Sequence, residues 1–163
     1  MKILIVSDTH RKNENLKKVL DREPPFDMMI HLGDAEGSEV IYRKWLPVQT
    51  RLIVLKGNND FFTVLESEKE VRIGRSLCLL THGHYYNVSL DTELLRKEAK
   101  ARGFDVAMFG HTHRPFLETI DGVTLLNPGS LSYPRQEGRR PTYMIMEVDN
   151  LGRAEFTLHE LTD

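Results

Sequence analysis

The stretch ILIVSDTH, Ile3 to His10, decides the fold. Four apolar residues, three of them β-branched, stop abruptly at a hydroxyl, a carboxylate, a second hydroxyl and an imidazole. β-Branched side chains suit a pleated strand, and an unbroken apolar run suits a strand buried on both faces. The polar cluster behind it then stands at the strand's carboxyl end. The same pattern recurs four times: Met28–Ile30 runs to Gly33-Asp34, and Leu52–Leu55 to Gly57-Asn58-Asn59-Asp60. Leu77–Leu80 leads into His82-Gly83-His84, and Val106–Phe109 into Gly110-His111-Thr112-His113.

Between several of these runs the period changes to helical. Asn13–Arg22 carries Leu16, Val19 and Leu20 on one face and stops before Pro24-Pro25; Gly37–Leu46 is closed by Pro47; Asp91–Arg102 is followed by Gly103. After residue 115 the texture turns to strands: Phe116–Ile120, Val123–Asn127, Tyr143–Val148 and Ala154–Leu161. Asp121-Gly122 and the Asn150–Gly152 link both read as two-residue hairpin turns. The expectation is one α/β domain, residues 1–163, with two sheets packed face to face and helices outside.

Composition narrows the function. The 163 residues carry a net charge of −2 with no block of Lys and Arg, so no general nucleic-acid surface is expected. No apolar stretch approaches the roughly 20 residues of a membrane span, and the N-terminal apolar run is too short for a signal-peptide core. The lone Cys78 forms no intrachain disulfide and lies in an apolar run, where a buried thiol is expected. A cytoplasmic location follows as the expectation. Phe61-Phe62 and Tyr85-Tyr86 could supply an apolar surface for a homo-oligomer.

In open α/β sheets, ligands gather outside the carboxyl ends of strands. Five such ends here deliver Asp8, His10, Asp34, Asn58, His82, His111 and His113. Singly, each motif has a common explanation as a cap or a turn, and His31 and His159 are read as core or surface histidines. Together they form a metal-ligand inventory. In extended chain, Asp8 with His10 and His111 with His113 would each project to one side, as two bidentate claws. Gly33, Gly57 and Gly110 leave room for backbones to crowd at the ligands. Mixed oxygen and imidazole donors without thiolate suit Mn²⁺, Fe or Zn²⁺.

Asp-x-His, Gly-Asp, Gly-Asn-x-Asp, His-Gly-His and Gly-His-x-His, in this order, resemble the calcineurin-like metallophosphoesterase superfamily. With the Asn127-Pro128-Gly129-Ser130 loop and the chain's size, the sequence is most similar to its small bacterial and archaeal phosphodiesterase branch. The resemblance implies the four-layer metallophosphoesterase fold, a two-sheet β-sandwich flanked by helices. It also implies a phosphodiesterase with two divalent ions, manganese first, then Zn, Ni, Fe or Mg. Carried onto this chain, one ion would take Asp8, His10, Asp34 and His113, and the other Asp34, Asn58, His82 and His111, with a metal-bridging hydroxide as nucleophile. The substrate would be a small phosphodiester.

One position departs from the pattern. Asn59 stands where many members have a histidine that donates a proton to the leaving group, which an amide does not do at neutral pH. Acidic leaving groups and diesters are therefore expected to be favoured over alkyl monoesters. His84 is the one histidine near the motifs without a ligand role, and with Asn59 it is a candidate for substrate contact. Arg135, Arg139 and Arg140 follow the Asn127–Ser130 loop as further candidate phosphate contacts. Two other functions fit the same motifs. One is a metal-binding scaffold with weak or no catalysis, as in the retromer coat subunit of this fold, and the other is a nuclease.

Overall fold

The computed structural model describes residues 1–162, and among these it has ten strands and three α-helices. One sheet runs in the order β10 (Ala154–Glu160), β9 (Thr142–Val148), β1 (Lys2–Val6), β2 (Met28–His31) and β3 (Arg51–Val54). The other runs β4 (Glu68–Ile73), β5 (Ser76–Thr81), β6 (Val106–Met108), β8 (Val123–Pro128) and β7 (Pro115–Ile120). Each has a parallel centre, β1-β2-β3 or β5-β6-β8, with antiparallel strands beside it.

The period of two sorts the side chains into layers. Ile3 and Ile5 of β1 face the other sheet and pack with Ile30, Cys78, Leu80, Val106, Met108 and Met144. Leu4 and Val6 face outward onto Leu16 and Val19 of α1 (Glu14–Arg22) and Tyr42 of α2 (Glu39–Trp45). On the second sheet, Leu79, Ala107 and Leu125 face outward onto Leu95 and Ala99 of α3 (Glu93–Ala101). The result is a four-layer sandwich: helix, sheet, sheet, helix. Cys78 lies in the core between the sheets, where burial pushes its thiol up to about 12.

The structure departs from the sequence expectation at three places. β4 was not expected, because Glu68-Lys69-Glu70-Val71-Arg72-Ile73 carries four charges; only Val71 and Ile73 turn inward, as an edge strand requires. β3 is fully buried only at Ile53, with Leu52 and Val54 half-buried on its other face, since it too is an edge. Asp121-Gly122 does form a two-residue turn between paired Ile120 and Val123. The β9–β10 link is instead a five-residue loop, 149–153, in which the Asp149 carboxylate accepts N–H bonds from Leu151 and Arg153.

Candidate metal centre

The loops that follow β1, β2, β3, β5 and β6 meet at one edge of the sandwich, bringing together all seven residues proposed as ligands. His113 Nε2 lies 3.3 Å from Asp8 Oδ1 and 3.2 Å from His10 Nε2. His82 Nε2 and His111 Nδ1 lie 3.0 and 2.9 Å from Asn58 Oδ1. Between the two groups sits Asp34 Oδ2, 3.7 Å from His10 Nε2 and 3.5 Å from His82 Nε2. Donor atoms of Asp8, His10 and His113, and of Asp8, Asp34 and His82, each fall within 4.8 Å of one another.

The expected claws are corrected by the backbone. Asp8, His10, Asp34, His111 and His113 all have left-handed φ, between 46° and 69°, so neither pair is extended. Asp8 and His10 still turn to one group, but His111 and His113 separate, one to Asn58 and the other to Asp8. Non-glycine residues rarely adopt this conformation, at a cost of about 1–3 kcal/mol each, and such strain gathers at functional sites. Two glycines permit the crowding. A Cβ at Gly57 would lie 2.1 Å from Asp34 Oδ1, and one at Gly110 would lie 2.0 Å from Ser7 Oγ.

The rings are aimed by their far nitrogens. His82 Nδ1 bonds the Leu32 carbonyl at 2.7 Å, His113 Nδ1 the Tyr133 carbonyl at 2.8 Å, and His10 Nδ1 the Glu36 carboxylate at 2.7 Å. These partners only accept, so each Nδ1 carries the proton and each Nε2 presents a lone pair to the centre. Bare lone pairs would then face one another at the 3.2 Å approach of His10 and His113. Asp8 Oδ1 is buried with no hydrogen-bond partner among the described residues, while its Oδ2 accepts the His111 N–H at 2.9 Å. The convergence of His10 Nε2, His113 Nε2 and Asp8 Oδ1, acceptors with no donor between them among the described residues, fits a divalent cation.

Burial opposes charge on Asp8 and Asp34, but the neighbouring histidines hold both carboxyls below the usual range. Burial likewise opposes charge on His82, and the Asp34 and Asp8 carboxylates override it, raising that imidazole. His111 and His84 are pushed down, chiefly by burial.

Four supporting residues were not singled out in the sequence, or only in part. Asp60 accepts the Gly57 N–H at 2.7 Å and also the N–H groups of Asp34 (2.7 Å) and Glu36 (2.6 Å). Glu36 holds His10, as above. Asn127 Nδ2 donates to the Gly110 carbonyl, and Ser130 Oγ to the Asp8 carbonyl. Behind them, neutral His31 accepts from the Gly33 N–H and donates through Nε2 to Thr9, which leads on to Tyr42 and Asn13. His31 is thus a satisfied core residue, its pKa lowered to about 4 by burial.

Asn59 lies against Asp34: its backbone N–H donates to Oδ1 at 2.8 Å and its side-chain Nδ2 to Oδ2 at 2.7 Å. The His84 ring stands beside the centre, its centroid 5.4 Å from that of His82, with Nδ1 buried and unpartnered among the described residues. Arg140 pairs with Glu160 at 2.9 Å.

Residues 1–151 match the family model of the calcineurin-like phosphoesterase superfamily domain. The probable metallophosphoesterase YsnB of Bacillus subtilis is 35% identical over 151 residues, covering 92% of this chain and 86% of the relative. The phosphodiesterase MJ0936 of Methanocaldococcus jannaschii is 29% identical over 145 residues, covering 79% and 83%. A crystal structure of a phosphoesterase-like protein from Streptococcus pneumoniae superposes with a TM-score of 0.80 at 27% identity, covering 99% of this chain and 88% of the other.

Proposed function

Because the chain belongs to the calcineurin-like phosphoesterase superfamily, we propose that it is a phosphodiesterase with a dinuclear divalent-metal centre, acting on small phosphodiesters. The observation that carries this reading is Asp34 Oδ2, which stands between the His10 and His82 donors as a bridging carboxylate would. Asp8, His10, Asp34 and His113 would hold one ion, and Asp34, Asn58, His82 and His111 the other, with manganese the first candidate. When bound, two divalent ions acidify a water nucleophile and neutralise charge on the phosphoryl oxygens.

The chain's own residues prepare that chemistry. Leu32, Glu36 and the Tyr133 carbonyl lock three imidazoles in one tautomer, so no ring must reorient when a ligand arrives. Asp8 and Asp34 supply two negative charges against four positive ones, leaving an electropositive site for a phosphate anion. Asn59 steadies Asp34 and offers no acidic proton, which supports a preference for diesters with acidic leaving groups. No helix among the described residues is long and apolar enough to cross a membrane; a cytoplasmic location is part of the proposal.

The test is hydrolysis of nitrophenyl diesters and monoesters by metal-stripped protein with Mn²⁺, Ni²⁺, Zn²⁺ or Mg²⁺ added back. The expected result is metal-dependent diester cleavage, faster than monoester cleavage. Absence of activity with every metal would favour the scaffold reading.

A further inference from the structure

Beside the metal centre, on the other side of Asn59, lies a cavity of about 420 Å³. Phe61, Phe62, Arg11, Glu36 and Glu39 are among the residues that line it. Phe61 is 72% exposed and Phe62 109%, and Phe62 has a φ of 54°. Adjacent uncovered aromatic rings beside a reactive site mark a binding surface more often than a packing accident. The pair follows directly on Asn58, Asn59 and Asp60, on the same loop after β3.

The charges say what kind of group fits. Glu36, Glu39 and Asp60 line the cavity against a single cation, Arg11, whose Nε lies 3.5 Å from Glu36. A second anionic group is therefore disfavoured there. Glu39 Oε2 is buried and unpartnered among the described residues, and a buried acceptor calls for a donor. Aromatic residues with one spare acceptor, Glu39 Oε2, and no free positive charge suit a planar, uncharged ring, the more so if it carries an N–H group.

We propose that this cavity is a subsite for an aromatic ester arm on the retained, non-leaving side of the diester, stacked on Phe61 and Phe62; this rests on the phosphodiesterase reading. An aryl group and a nucleobase share the required chemistry. The experiment compares KM for the p-nitrophenyl esters of methyl, phenyl and adenosine 5′-phosphate on the metal-loaded full chain. Stacking predicts KM roughly tenfold lower for the two aromatic arms than for methyl, and adenosine below phenyl identifies the nucleobase as the better occupant. In the double variant Phe61→Ala, Phe62→Ala the methyl-to-aromatic KM ratio should fall from roughly ten to near one. Both rings are exposed, so the variant is expected to fold.

A ratio that stays the same in the variant overturns the subsite. So does a change of sedimentation coefficient in the variant, which would assign the rings to contact between copies of the chain. If no diester is cleaved at all, the phosphodiesterase reading fails, and calorimetric titration with adenosine 5′-monophosphate decides the subsite. Weaker binding to the double variant supports it, and equal binding overturns it.

Discussion

Glu36 shows how much of the centre depends on a residue that holds no ligand position. Its carboxylate fixes His10 at 2.7 Å, and its own backbone N–H is held by Asp60. Carboxylates that orient a ligating histidine typically contribute 10–100-fold in metal affinity. Glu36→Gln should therefore weaken Mn²⁺ binding by about tenfold in calorimetry, with an unchanged melting temperature in the metal-free protein. Unchanged affinity would remove Glu36 from the centre. Asn59 allows a converse experiment, because its backbone N–H keeps one bond to Asp34 whatever the side chain. Asn59→His should raise turnover on alkyl monoesters, about 10²-fold at the lower end of general-acid effects. No gain while metals stay bound would mean that Asn59 does not govern leaving-group choice.

At the scale of the element, the informative piece is the end of β2. His31 closes that strand in the core and links the β1 loop to Tyr42 on α2 and Asn13 before α1. Burial lowers its pKa from 6.5 to about 4, so between those values the unfolded chain binds a proton that the folded chain refuses. That stability is complete above pH 6.5 and is lost as pH falls towards 4, up to about 3 kcal/mol. Asp8 and Asp34, with lowered pKa values, lose theirs below this window, and His82, raised, loses its own above it. Denaturant unfolding of chelator-treated protein at pH 7 and pH 5 should show the loss, and His31→Gln should reduce it, leaving the share of His84 and His111, whose pKa values are also lowered. An equal loss in the variant would place the titration elsewhere.

Strands of this kind were legible because Ile3–Val6, Met28–Ile30 and Val106–Met108 are buried on both faces, where sequence is least ambiguous. β4 was not, since an edge strand needs only Val71 and Ile73 inward and leaves its other positions free to be charged. The candidate ligands could be named from their place after each strand, and folding brings them together. Their left-handed backbone was not, because nothing in Asp8 or His113 announces a conformation that the surrounding loops impose. Glu36 and Asp60 escaped for a related reason: their partners, His10 and Asp34, are set by folding rather than by neighbouring sequence.

At the scale of the molecule, two sheets with parallel centres send five strand ends to one edge, and the helices cover the outer faces. The sandwich thus spends its interior on packing and its rim on chemistry, with Asp34 at the point where donors from both sheets meet. The central claim is that this meeting point is a two-metal site. It is tested most directly by anomalous diffraction at the manganese edge from crystals grown with Mn²⁺. Two peaks about 3.5–4 Å apart are expected, with the Asp34 carboxylate between them. A single peak, or none beside Asp34, would contradict it.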